Sequence, residues 1–319
     1  MRGHGQFDQS PHRSSATRRG APISPNPVAL TSPRARQINS WLVGYALIAP
    51  PLILLAVLIF FPAGQAIVRT VMVDQDAGIA SGLTLDRYFN FFNDKIAISN
   101  LLFTLRVTLL AVFFQFAVCF PISLYLRFSS SRIAGAVQVL TLFPLFVPGV
   151  ILAFALIRFL GPRGTVDTIL REVFQFTGFI TPYQRESGIV FALVWDHIPF
   201  TVLVLTAGLR QVEDSVIEAA RDVGASSARA FLQVILPLMQ RPALIVFCLN
   251  VIGVFGAFTI PYLIGPAAPQ MMGVYMRQTF DEYLDRPGAE TQAVITFVLC
   301  ALVGVLYVRT VTRRRGERA

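Results

Sequence analysis

Trp195, Asp196 and His197 stand side by side in the run WDHIPF, inside a long apolar stretch. A carboxylate next to an indole can hold a cation by charge and by the ring's π face. Asp196 falls about eight residues into an apolar window near 188–209, roughly 12 Å deep at 1.5 Å per residue. No other carboxylate lies well inside such a window, and an ionisable group at that depth is a functional-site hypothesis by default. The competing reading is a structural pairing with His197, with Arg106, or with an N–H left free near Pro199. If Asp196 faces a path, its charge favours a cationic solute.

Other chemistry is missing. Lys95, the only lysine, sits in FNDKIA with no glycine-rich run before it, so there is no phosphate-binding G-x-x-x-x-G-K-[ST] loop. H-E-x-x-H, C-x-x-C and G-x-S-x-G are absent as well, and two of the three histidines (His4, His12) fall in the N-terminal tail. Cys119, Cys248 and Cys300 lie in apolar runs and read as small packed hydrophobes. No catalytic residue, metal site or cofactor is expected.

The elements that position these residues follow from composition. Of 319 residues 54% are hydrophobic and 14% charged, against about 25% charged in a soluble domain, and mean hydropathy is +0.61. This is an all-α polytopic membrane protein. Windows of about 20 apolar residues predict six transmembrane helices near 42–68, 100–125, 135–160, 188–209, 243–264 and 291–309. Pro50, Pro51, Pro62, Pro121, Pro144 and Pro148 interrupt the first three, and are read as packing kinks.

Residues 1–40, rich in Ser, Pro, Gly and Arg, are expected to be a disordered tail. The following apolar run is too long for a signal peptide and is read as a retained span. With both termini inside, the inner segments carry 17 basic residues and the outer loops eight, the expected bias. The net charge of +9 is therefore topological and demands no nucleic acid. Arg106 and Arg158, near the outer boundary, are expected to snorkel to the headgroups. The outer-loop runs LTLDRYFNFFNDK and YMRQTFDEYLDRPG read as short surface helices or lids.

A polar interruption from Glu213 to Pro242 carries both charge and helical periodicity. Ser215-x-x-Glu218 matches a capping box, with Ser215 as N-cap. Val212, Val216, Ala220 and Val223 share a face, Gly224 is placed to end the helix in a left-handed cap, and Ser226 or Ser227 can cap a second helix limited by Pro237. A bent helix pair of this kind suits a groove on another protein.

Glu218-Ala219-Ala220, Gly224 and Val234-x-Leu236-Pro237 resemble the EAA motif of ABC importer permeases, EAA-x3-G-x9-I-x-LP, with Val234 for Ile the one departure. EAARDVGAS is closer to the polyamine, iron, sulfate and related permeases than to sugar permeases, and CFPISLYLR, WDHIPF and IPYLIGP look like the polyamine (spermidine/putrescine) type, apart from Cys119 where that group often has Gly. The resemblance implies a type I importer permease of the bacterial inner membrane with both termini cytoplasmic. It implies a permease domain over 41–309, a coupling loop over 210–242 and a basic tail over 310–319. Glu218, Ala219, Ala220, Gly224, Leu236 and Pro237 would couple to the ATPase, and Asp196, Trp195 and His197 would line the solute path. The implied partners are two ATP-binding subunits, a second permease that is a different chain, an external solute-binding protein and the lipid bilayer. Alternatives are an importer of iron, sulfate or phosphonate, an ion-coupled secondary carrier, and a membrane scaffold.

Overall fold

The computed structural model describes the backbone of residues 33–72 and 82–316, and the side chains of 43–72 and 82–312. Among the described residues there is no strand, only a single bridge between Met72 and Leu83. Six helical stretches are long and apolar enough to cross a membrane: Val43–Thr70, Lys95–Phe128, Gly149–Glu172, Glu186–Leu209, Ser227–Phe255 and Arg286–Thr312.

The described residues fall into two compact units, one ending at Phe60 and one beginning at Phe61. In the first, α1 (Pro33–Leu55) leads into a π-helical turn at Ala56–Phe60. Its apolar side chains, Leu47, Leu52, Ile53 and Leu58 among them, are exposed on every side. A helix apolar all round suits lipid rather than water. Helix α1 begins inside the stretch expected to be disordered to residue 40, and residues 1–32 lie outside the described residues.

The second unit opens with α2 (Phe61–Thr70) and a short surface helix α3 (Asp86–Asn93). Helix α4 (Lys95–Phe128) runs 34 residues through Pro121, and at 1.5 Å per residue its length of about 50 Å exceeds the ~30 Å hydrocarbon core. Asp94 caps its start, accepting a hydrogen bond from the Ile96 amide at 2.9 Å. Helix α8 (Glu186–Leu209) packs along α4, and α11 (Leu236–Phe255) packs on both. Small residues allow this approach: a Cβ on Gly208 would lie 2.6 Å from the Pro242 side chain. Val107, Ala111, Leu193 and Val254 are buried in one core cluster, Leu205, Leu209, Met239 and Val246 in another. Helix α14 (Arg286–Gly316) runs along α11 and α2, carrying helix into the tail expected at 310–319.

The third predicted span is corrected. Residues 135–160 form no single helix but α5 (Arg132–Leu142), a 3-10 turn at Phe143–Phe146 and α6 (Gly149–Leu160), which continues past a short break into α7 (Thr165–Glu172). Pro148 forces the preceding Val147 into extended geometry, φ −102° and ψ 110°, so these prolines break the helix rather than kink it. The fifth predicted span also changes: its helix begins earlier and stops at Phe255, with α12 (Thr259–Ile264) separate.

Candidate functional site

The segment between Glu213 and Pro242 is a short helix, a tight turn and a second helix, as its residues predict, but it starts earlier. Helix α9 spans Asp214–Asp222 with Glu213 as its N-cap residue. Ser215 lies within it and donates its hydroxyl to Glu213 Oε2 at 3.2 Å, so Ser215 is not the cap. The cause lies 87 residues upstream. Arg127, at the end of α4, donates from Nε to the Leu209 carbonyl at 3.3 Å, and from Nη2 to the Val212 carbonyl at 3.2 Å and Asp214 Oδ1 at 2.6 Å. This fork ties the end of α8 to the first turn of α9, and fixes where that turn begins. Arg127 has 16% of its side chain exposed and Asp214 67%, so the two carbonyls rather than the ion pair carry most of the clamp.

Helix α9 is anchored by Ile217, which is buried with Val212 against Leu205, Leu209 and Met239. The expected valine stripe splits: Val212 points inward, while Val216 and Val223 are exposed beside Glu218 and Ala219. Gly224 takes φ +83° and closes the helix as a Schellman turn. Its amide donates to the Arg221 carbonyl at 2.8 Å, and the Ala225 amide to that of Ala220 at 3.0 Å. Ser226 then caps α10 (Ser227–Ala230), its Oγ accepting from the Arg229 amide at 3.3 Å. A π-helical turn at Phe231–Ile235 leads into α11. Pro237 there has no N–H to offer the turn before it, which is where such a bulge is expected. Leu236 and Pro237 are exposed.

The WDHIPF run is only partly gathered: Asp196 and His197 meet, and Trp195 faces a separate groove. Successive helical residues point about 100° apart, and the three side chains fan across α8. Trp195 stands edge-to-face with Phe143, ring centroids 6.3 Å apart. It lines an apolar groove between α4 and α8 with Phe114, Phe191 and Ile198. His197 turns toward α11: a Cβ on Gly253 would lie 3.1 Å from its Nε2. Its Nδ1 is 3.0 Å from the Leu193 carbonyl and 3.4 Å from Asp196 Oδ2. Asp196 is one-third exposed. Of the structural partners considered for it, His197 is the one within reach. Arg106 is engaged elsewhere, its Nε 2.9 Å from Glu186 Oε1, close enough for an ion pair though not aligned as a hydrogen bond, so it is paired rather than simply snorkelling.

Two fully buried amides escaped the sequence. Gln115 on α4 donates to the Leu193 carbonyl at 3.3 Å, and Asn250 on α11 donates to Thr201 Oγ1 on α8 at 2.9 Å. They tie the three helices at the depth of Asp196. As single uncharged residues in apolar runs they give no distinguishing pattern.

Membrane-length helices around an α4–α8–α11 core, with a two-helix turn emerging between α8 and α11, define a permease subunit of an ATP-driven importer. The chain belongs to the family described as binding-protein-dependent transport system inner membrane component, whose profile matches residues 117–316. It is a multi-pass inner-membrane transport subunit and not an enzyme.

Among its relatives is the spermidine/putrescine permease PotB of Haemophilus influenzae, 26% identical over 275 residues, covering 85% of this chain and 91% of that one. PotB of Escherichia coli is 27% identical over 252 residues, 77% of this chain and 90% of that one. The sulfoquinovosyl glycerol permease SmoG of Agrobacterium fabrum is 25% identical, covering 85% and 90%. Among solved structures, a chain of a bacterial ABC transporter that imports the acidic polysaccharide alginate superposes with TM-score 0.70 at 17% identity, covering 89% of this chain and 99% of that one. That likeness is of fold alone.

Proposed function

We propose that this permease carries a small cationic solute of the polyamine class. The observation that carries the reading is the match to permeases named for spermidine and putrescine over 77–85% of this chain. A carboxylate one-third exposed midway along α8 supports it. The exposed face of α9 with Glu218 and Ala219, the bend at Gly224, half-buried Ala220, and exposed Leu236 and Pro237 form the docking element for an ATPase subunit, in a loop over 210–242 of a permease domain over 41–309. The partners are two ATPases, a second permease of different sequence and an external solute-binding protein. Both termini face the cytoplasm, a reading supported by the distribution of arginine.

Vesicles holding the chain with its ATPase, second permease and binding protein should accumulate labelled putrescine only when ATP is supplied. The relatives named for glycerol-based solutes make sn-glycerol-3-phosphate the sharpest comparison. Uptake of that anion in place of putrescine would sink the polyamine reading. Asp196→Asn should raise the KM for putrescine about five- to thirty-fold, the effect of one to two kcal/mol, with ATP hydrolysis intact. Unchanged uptake kinetics would leave Asp196 as a structural partner of His197.

A further inference from the structure

The two surface helices expected from the outer-loop runs, α3 and α13 (Met272–Asp281), enclose something between them. With the N-terminal ends of α4 and α14 they wall a cavity of about 340 Å³. This is the end of the bundle remote from the coupling element. Arg127, which grips α9, closes the far end of α4, and Thr310 and Val311 near the far end of α14 share a cleft with Gln211 and Arg241. No residue lining the cavity belongs to α8 or its WDHIPF run.

Asp94, Asp285 and Gln292 lie on the wall together with the rings of Phe91, Tyr275 and Tyr283. Gln292 is 4% exposed. Its Nε2 donates to Thr279 Oγ1 at 3.0 Å, and that hydroxyl donates its own proton to the Tyr275 carbonyl at 2.9 Å. The amide orientation is thereby fixed, and Gln292 Oε1 is left buried with no partner. Of the seven such unpartnered buried side-chain atoms among the described residues, it is the one that belongs to this cavity's wall. Asp94 and Asp285 each commit one oxygen to a helix start, on the Ile96 and Gly288 amides at 2.9 Å. Each retains its charge and its second oxygen. Asp285 Oδ2 lies close over Gly288, 2.0 Å from where a Cβ would stand.

Two carboxylates face one wall cation, Arg87, whose Nη1 donates to the Arg69 carbonyl. The field inside is negative at Tyr275, whose phenol is held above its ordinary value of 10.0, by burial first and then by Asp94, Tyr283 and Asp285. Orphaned acceptor, paired carboxylates and aromatic faces together complement a cation with N–H donors. A hard metal ion asks for six or more oxygens, and no cluster of three or more potential metal-binding His, Cys, Asp or Glu occurs among the described residues.

The geometry points to a recognition site for a primary alkylammonium group. It takes one end of a short aliphatic amine between Asp94 and Asp285, with Gln292 Oε1 accepting one ammonium N–H and the tyrosine rings closing over the methylenes. The site is distinct from the mid-membrane carboxylate, and rests on its own residues whichever solute is carried.

Equilibrium dialysis of labelled putrescine against the full-length chain in lipid nanodiscs tests it. Saturable binding is expected, with spermidine competing and the neutral isostere 1,4-butanediol failing to compete. Asp94→Asn with Asp285→Asn, which keeps both helix caps, and separately Gln292→Leu, should each weaken binding at least tenfold. No saturable binding, equal displacement by butanediol, or unchanged affinity in the double variant overturns the proposal. Putrescine binding with these signatures but no ATP-driven uptake would sink the polyamine-transport reading and leave the pocket standing. Uptake without pocket binding would do the reverse.

Discussion

Gly224→Val is expected to leave the chain inserted while cutting ATP-driven uptake at least tenfold. Space is not the obstacle, because nothing lies within 4 Å of a Cβ built on Gly224. The backbone is: at φ +83° a β-branched residue carries strain of about 1–3 kcal/mol. The turn can relieve it only by giving up its hydrogen bonds to the Arg221 and Ala220 carbonyls, which swings α9 and its exposed Val216, Glu218 and Ala219 relative to α10. Hydrolysis and uptake measured on the same vesicles should therefore separate, with ATP consumed but solute not moved. Gly224→Asn, which tolerates the left-handed region, should restore most of the coupling. Wild-type uptake in the valine variant would remove the turn from the mechanism.

Arg127→Met should produce a loss of the same kind by another route. The apolar stem is kept, while the donors to the Leu209 and Val212 carbonyls and to Asp214 are removed. A net loss of about 1–2 kcal/mol from the half-buried bonds loosens the first turn of α9, enough to lower uptake about five- to thirty-fold. Arg127→Lys keeps the charge without the planar fork, and should recover only part of the loss. The protein's insertion and thermal melting should change little, because the core clusters around α4 and α8 do not include Arg127. A melting shift as large as the uptake defect would assign Arg127 to general stability instead.

Much of this fold is legible in the residues. Apolar runs of membrane length mark six crossings, and the bend at Gly224 is written locally, in a glycine six residues after Glu218. What the sequence conceals is what depends on distant partners. Ser215 satisfies the capping pattern but is displaced because Arg127, from another helix, sets where α9 begins. Arg127 itself is one arginine among 26 and reads only as topogenic charge. The run of residues 135–160 has the hydropathy of a span, and hydropathy does not record that Pro148 forces Val147 out of the helix. Three neighbours in WDHIPF suggest a cluster, yet a helix sends neighbours to different faces. Phe91, Asp94, Tyr275 and Gln292 meet only because α3 and α13 fold over the starts of α4 and α14, which no local pattern announces.

Helix α4 runs unbroken between two held ends, with Asp94 capping the first turn and Arg127 gripping the start of α9 from the last. A rod of that kind transmits displacement by leverage. Pivoting by 5° about its middle would carry each end about 2 Å in opposite directions, given 1.5 Å of rise per residue. A shift of that size exceeds the tolerance of a hydrogen bond. Were α4 to pivot as one rigid body, a movement at the Arg127 clamp would reach Asp94 in the opposite sense.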